Sequence, residues 1–242
     1  MHYEKVTSGR FVVRENRFVA RVVINNKEEK VHVKNTGRCR ELLVPGAKVY
    51  LEDFEGRMGS RKYRYSLVAV DKVTDRGIIR INMDSQAPNH VVGEALESGV
   101  IRLPGMGELT AIKAEKTFGN SRFDFYVESE EKKAFVEVKG VTLENEGEAL
   151  FPDAPTVRGV KHLNELVKAL EEGYEAFAVF LIQMKGVKTF RPNEEMHPDF
   201  AKAMRECAEA GVQLLAFDST VTEDGLAADS PVEIVLKKPC IP

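Results

Sequence analysis

Asp124, Glu137 and Lys139 are the residues whose types and spacing point most directly to chemistry. They sit in the runs Arg122-Phe-Asp-Phe-Tyr126 and Ala134-Phe-Val-Glu-Val-Lys-Gly140. In both runs apolar residues alternate with charges at a period of two, the pattern of short strands. Strict alternation predicts Phe123, Phe125, Val136 and Val138 on one face, and Asp124, Glu137 and Lys139 on the other. The polar segment from Glu128 to Lys133 suits a hairpin turn. A turn centred between residues 130 and 131 sets Asp124 opposite Glu137. Like charges in that position repel, so the arrangement calls for a cation between them. Mg²⁺ or Mn²⁺ fits, since Mg²⁺ favours one or two carboxylates with waters and phosphate oxygens completing the shell. Lys139 would then orient the attacking water. Such an Asp…Glu-x-Lys set is the constellation of metal-dependent nucleases. Glu-x-Lys by itself is common on wetted strands; the second carboxylate at matching register is what distinguishes this one.

Other residues could serve the same site. Glu115, just ahead of Gly119-Asn-Ser121, is a candidate third metal ligand, although a lone Glu is often merely exposed. Asp153 lies between two prolines and is either a further ligand or an Asx-turn residue. Arg158, Lys161 and His162 fall in the first turns of a helix whose apolar stripe is Val157, Val160, Leu163, Val167 and Leu170. Arg158 and His162 are four apart and share a face, opposite much of that stripe. They read as phosphate ligands or as a solvated face. Towards the N-terminus, Arg61-Lys-Tyr-Arg-Tyr65 interleaves cations (Arg61, Lys62, Arg64) with Tyr63 and Tyr65. That combination holds a sugar-phosphate backbone while stacking bases. Arg14, Arg17, Arg38 and Arg40 add further candidate nucleic-acid contacts.

Two kinds of element must position these residues. Residues 1–84 give five strand-like runs, near 10–24, 29–34, 47–52, 63–71 and 76–81, which predict a small barrel of OB or SH3-like type. Beyond them come a helix over 89–98 ended by Gly99, and strands near 109–116, 122–128 and 134–141. A helix capped by Thr156 and closed by Gly173 follows, then a buried strand over 175–183, a helix over 198–210 and a strand over 213–217. This is a mixed α/β sheet flanked by helices, and the boundary between the two domains is expected near residue 84. Residues 1–84 carry 18 Lys/Arg against 11 Asp/Glu, while residues 85–242 carry 17 against 27. A basic front and an acidic rear suit a polyanion-binding module attached to a carboxylate site.

Composition narrows the setting. The 242 residues are 43% hydrophobic and 30% charged, as in a globular protein. No run approaches the roughly 20 apolar residues of a membrane span, and the N-terminus lacks a secretory pattern. Cys39, Cys207 and Cys240 are odd in number and widely spaced, which argues against a disulfide framework or a zinc site. A reducing cytoplasm is the expected location.

Several long segments also resemble a known family. Asn35-Thr-Gly-Arg38, Glu41-Leu-Leu-Val-Pro-Gly46, Ser121-Arg-Phe-Asp-Phe125, Val136-Glu-Val-Lys-Gly-Val-Thr-Leu143 and Phe151-Pro-Asp-Ala-Pro-Thr-Val-Arg-Gly-Val-Lys-His-Leu163 are similar to signature segments of the sugar fermentation stimulation protein (SfsA) family. The likeness runs from about residue 10 to 235. It implies an N-terminal OB-like barrel and a C-terminal PD-(D/E)xK nuclease-like α/β domain, with DNA binding as the activity. It also implies Asp124, Glu137 and Lys139 as the catalytic set, Glu115 as an additional acid, and Arg158, Lys161 and His162 as site residues.

The leading expectation is a DNA-binding nuclease of little sequence specificity using Mg²⁺ or Mn²⁺. Strand preference is unassigned and a homo-oligomer is left open. The alternative is a non-catalytic DNA-binding transcriptional regulator of sugar metabolism that uses the nuclease fold as scaffold. An enzyme of sugar or nucleotide phosphates is disfavoured by the absence of a P-loop or a GxGxxG motif.

Overall fold

The computed structural model describes residues 1–35 and 37–236. Six strands come first: β1 (Val6–Arg14), β2 (Val19–Ile24), β3 (Lys27–Val33), β4 (Lys48–Asp53), β5 (Tyr65–Thr74) and β6 (Gly77–Asn82). The run expected over 10–24 is therefore two strands. Glu15 to Phe18 reverse the chain, with the Glu15 and Asn16 N–H groups both donating to the Val19 carbonyl, at 2.9 and 3.3 Å. The strands neighbour one another in the order β3-β2-β1-β4-β5-β6, and β3 also pairs in parallel with β5 through His32↔Ser66 and Val33↔Leu67. That contact closes a five-stranded barrel and removes its open edges, which would otherwise template aggregation. Val22, Val31, Val49, Leu51, Leu67 and Val70 fill its interior, all fully buried.

The remaining elements are α1 (Ala87–Glu97), β7 (Ala111–Phe118), β8 (Ser121–Glu128), β9 (Lys133–Val141), β10 (Leu143–Asn145), β11 (Glu148–Phe151), α2 (Val157–Glu171), β12 (Glu175–Ile182), β13 (Thr189–Pro192), α3 (Pro198–Glu209), β14 (Gln213–Val221), β15 (Leu226–Pro231) and β16 (Glu233–Ile234). The main sheet runs β15-β14-β12-β9-β8-β7. It is parallel where β12 joins β9 and β14, and antiparallel at both edges. α1 covers one face, packing Val91, Val92 and Leu96 with Phe125, Val136 and Phe177. α2 and α3 cover the other, packing Leu163, Leu166 and Phe200 with Phe123, Phe135 and Phe180. A strand covered on both faces reads as a nearly continuous apolar run, and β12, EAFAVFLI, is apolar and buried from Ala176 onward.

The helix ends follow from their sequence. Gly99 has φ +72, a conformation that favours glycine just past a helix. The Thr156 side chain accepts from the Gly159 N–H at 3.0 Å, a cap worth about 1 kcal/mol. A small second sheet, β10-β11-β13-β16, was not anticipated. Its strands have two to four residues, too few to show a period.

The barrel is fastened to the α/β half. The Asn82 N–H donates to the Gln183 carbonyl at 2.9 Å, and Gln183 Nε2 returns a bond to Asn82 Oδ1 at 3.0 Å. Lys72 and Arg76 of the barrel hold the buried Glu144 carboxylate at 2.6 and 2.5 Å. Cys39 and Cys207 are buried free thiols; Cys240 lies outside the described residues. Among the described residues no helix is long and apolar enough to cross a membrane.

Candidate active site

The hairpin that sets the site is in the expected register: Phe125↔Val136, Tyr126↔Phe135 and Val127↔Ala134. The face assignment needs correction. Phe125 packs with Val136 and Val138 on the α1 side, but Phe123 packs on the α2 side against Phe135. The break falls at Asp124. The β7–β8 ladder passes from Ala114↔Phe125 to Lys116↔Phe123. Glu115, the residue in register beside Asp124, has φ +57, a strained conformation for a residue with a side chain. The β8–β9 pairing ends at Phe125, and beyond it the Val138 N–H donates to Asp124 Oδ2 at 2.7 Å. A carboxylate thus stands where a strand carbonyl would be. Asp124 Oδ1 accepts from Asn89 Nδ2 of α1, also at 2.7 Å. Asn89 is a site residue that no spacing rule picks out, since it comes from another element.

Glu137 turns towards α2. Its Oε1 is held by Lys139 Nζ and by His162 Nδ1, both in short contacts. Arg158 Nε donates to His162 Nε2 at 3.3 Å, so His162 presents its Nδ1 proton to Glu137. Arg158, His162 and Glu137 form one chain of hydrogen bonds. The Glu137 side chain is 3% exposed and Lys139 16%, so solvent reaches the group beside Asp124 and Lys139. Glu137 Oε2 is buried with no hydrogen-bond partner, and such an atom costs roughly 1–3 kcal/mol if left bare.

The two carboxylates titrate in opposite directions. Burial, and then the charge of Glu137, raise the pKa of Asp124 above the ordinary aspartate value. Burial also pushes Glu137 upward, but His162 and Lys139 outweigh it and the net shift is downward. Glu137 is therefore the anionic centre, and Asp124 bears the cost of a second charge beside it.

The structure places the other candidate residues variously. Lys161 is exposed and donates to the Asn120 carbonyl at 2.6 Å. His162 is buried rather than solvated, because α2 is rotated from the expected stripe: Val157 is 80% exposed, while Gly159, His162, Leu163 and Leu166 face inward. A buried carboxylate in the sheet calls for polar partners on the helix above it. The Glu115 carboxylate is largely exposed and faces Arg122 at 3.4 Å. In the barrel, Arg14 donates to the carbonyls of Gly37, Arg38, Arg17 and Asn35 at 2.6–2.8 Å, which organises the loops around it. Arg61 lies over the Phe54 ring at 3.6 Å. Arg64 forms a two-pronged pair with Asp53, and Tyr65 packs on the core. Lys62 lies over Tyr63 at 5.5 Å. Arg17, Arg38 and Arg40 are exposed.

Two carboxylates, a lysine and a buried unmatched oxygen thus lie between an α/β sheet and its helix, in a domain joined to an OB barrel. Residues 12–79 match the model of the SfsA N-terminal OB domain, and residues 86–225 match that of the sugar fermentation stimulation protein RE domain. The chain belongs to the SfsA family. A sugar fermentation stimulation protein homolog of Desulfitobacterium hafniense strain Y51 is 53% identical over 238 residues, covering 98% of this chain and 99% of its own. The homolog of Alkaliphilus oremlandii is 49% identical, covering 97% and 98%. The structure of Pyrococcus furiosus SfsA in complex with Ca²⁺ is similar with a TM-score of 0.83 at 28% identity, covering 97% of this chain and 98% of that one.

Proposed function

We propose that this protein binds DNA and hydrolyses phosphodiesters with Mg²⁺ or Mn²⁺, through a PD-(D/E)xK-like site made of Asp124, Glu137 and Lys139. The observation that carries this reading is the buried Glu137 Oε2 with no partner, next to a carboxylate whose pKa is raised by burial and then by that same Glu137. A divalent cation would satisfy the first and relieve the second. Among the described residues no three His, Cys, Asp or Glu side chains gather as a metal cluster. Two carboxylates with water and phosphate oxygens are the set that Mg²⁺ commonly takes. The P. furiosus relative in complex with Ca²⁺ supports the reading, because Ca²⁺ also takes oxygen ligands.

Asp124 and Glu137 would hold the cation, which when bound supplies an activated water and offsets charge on the phosphoryl group. The protein's own side chains do the rest. Lys139, fixed by Glu137, orients the water through an ammonium proton. His162, fixed by Arg158, locks the Glu137 rotamer and keeps Glu137 ionised. Arg158, exposed at the start of α2, contacts phosphate, and Lys161 lies beside it. Glu115 is outside this ligand set, since its carboxylate is turned to Arg122.

The test pairs Mn²⁺ calorimetry with cleavage of single-stranded and plasmid DNA, wild type beside Glu137→Ala. The reading expects metal binding and cleavage by wild type, and a loss of both in the variant of about a hundredfold or more. Equal cleavage by the two proteins defeats the site assignment. DNA binding without metal binding or cleavage leaves the regulator, with the fold as scaffold.

A further inference from the structure

Two adjoining cavities where the barrel meets the α/β domain have no part in the mechanism above. The first, about 450 Å³, is walled by Arg14, Arg17, Arg38 and Arg40 of the barrel and by Ala154 of the α/β domain. Arg14 is held by backbone carbonyls. Among the described residues Arg17, Arg38 and Arg40 make no close ion pair, and Arg38 feels the Asp153 carboxylate only at longer range. Most other barrel cations are paired, as Arg64 is with Asp53, Arg80 with Asp71 and Lys34 with Asp84. The positive charge that needs an outside partner is therefore concentrated in this concavity.

The second cavity, about 350 Å³, shares Gly37 and Ala154 with the first. It lies between the domains and is polar, lined by Asn35, Ser85, Thr142, Asp153 and Gln183. Its barrel and α/β walls touch: a Cβ on Gly37 would lie 2.2 Å from Asp153 Oδ2. The Asp153 carboxylate is held by N–H groups of its own loop, and burial raises its pKa. Gly140 and Thr156 also line this cavity, and from them two elements lead to Glu137. Gly140 is about 10 Å along β9 from it. Thr156 is about 9 Å along α2 from His162, which bonds it.

Resting on the nucleic-acid reading above, we propose that the paired cavities seat one nucleotide of single-stranded DNA. Its phosphate sits among Arg17, Arg38 and Arg40, its base and sugar sit in the polar cavity, and the strand passes to Asp124 and Glu137 unpaired. A cavity of this size holds one base. In a duplex the bases are stacked and paired, and none enters such a cavity unless it is flipped out.

The experiment measures anisotropy of a fluorescent oligonucleotide, single-stranded or annealed as a blunt duplex, with chelator present so that no strand is cut. Wild type binds the single strand at least about tenfold more tightly than the duplex. Ala154→Trp, which fills the junction of the two cavities, removes that preference. Arg38→Ala with Arg40→Ala weakens single-strand binding and lowers its salt slope by about 1.4. In both variants the thermal midpoint and the Mn²⁺ isotherm stay as in wild type. Duplex binding equal to or tighter than single-strand binding, or variants that bind like wild type, overturns the inference. If that result accompanies Mn²⁺-dependent cleavage, the catalytic reading survives it. If neither DNA form binds, both readings fall.

Discussion

The molecule contains two clusters built from the same residue types, with opposite electrostatics. In the barrel, Asp53 is 3% exposed and meets Arg64 Nε and Nη2 at 2.7 and 2.8 Å, with Lys5 at 3.2 Å. Its hydrogen bonds to Arg64 outweigh burial and hold its carboxyl well below the usual aspartate range. In the α/β domain, Asp124 has neutral donors, Asn89 and the Val138 N–H, and a neighbouring carboxylate. Its pKa rises instead. The first cluster is satisfied within the fold. The second is left with an unmatched oxygen and excess negative charge, a state that an external cation would complete. The difference teaches that a basic or acidic count locates charge, while unmet desolvation locates a site.

The largest expected effect separates the two lysine and arginine partners. On the catalytic reading, Lys139→Met should lower cleavage per folded molecule by about a hundredfold or more, and it should also lower the urea midpoint, because Glu137 beneath it is almost fully buried. Arg64→Met should leave cleavage per folded molecule intact. If both variants lose activity alike, the contrast between the clusters is broken.

Asp53→Ala should destabilise by about 2 kcal/mol. Removing one member of a buried pair costs more than that, but Arg64 is 41% exposed and water takes up its charge. The matching fall in thermal midpoint is about 4–8 °C, and calorimetric unfolding checks it.

Gly37→Ala should cost about 1–3 kcal/mol through its clash with Asp153. Urea unfolding of this variant beside Gly37→Ala/Asp153→Ser checks the contact. The double variant should recover part of the loss, since the contact with Asn35 Oδ1 at 2.9 Å remains.

The smallest effect is the sharpest in sign. Asp124 has a raised pKa, so the folded protein binds more protons than the unfolded chain between the ordinary value of 3.8 and the raised one. Stability is lost as pH rises through that window. Asp124→Asn, in chelator, should match wild type at acid pH and exceed it in stability at neutral pH. Asp53 is depressed, so its contribution is present above 3.8 and is lost as pH falls towards its folded value. Asp53→Asn should be the less stable protein at neutral pH. Urea midpoints against pH for both variants must therefore diverge in opposite directions.

Much of this was legible in the chain. Alternation and turn residues located the hairpin from β8 to β9 and its register, because a side-chain period of two leaves little freedom once both flanks are apolar. Thr156, Gly99 and Gly173 marked helix ends for the same kind of local reason. The rotation of α2 was not legible, because Val157 looks as apolar as Leu163 until Glu137 demands a polar partner from the helix above. Nor could the run Arg61 to Tyr65 be told from the turn around Arg17. Both are basic in sequence, yet Asp53 and Phe54 occupy two cations of the first, and the second is open.

The sequence by itself determined most of the longer strands and helices, the two-domain class and the three polar residues on the β8–β9 hairpin, since periodicity and turn residues are local. Only the tertiary structure decided which charges are satisfied. Asn89 reaches Asp124 from α1, His162 reaches Glu137 from α2 with Arg158 behind it, and the barrel loop meets Asp153 across a domain boundary. Burial and hydrogen bonding depend on what packs opposite, and that is set by contacts far apart in sequence.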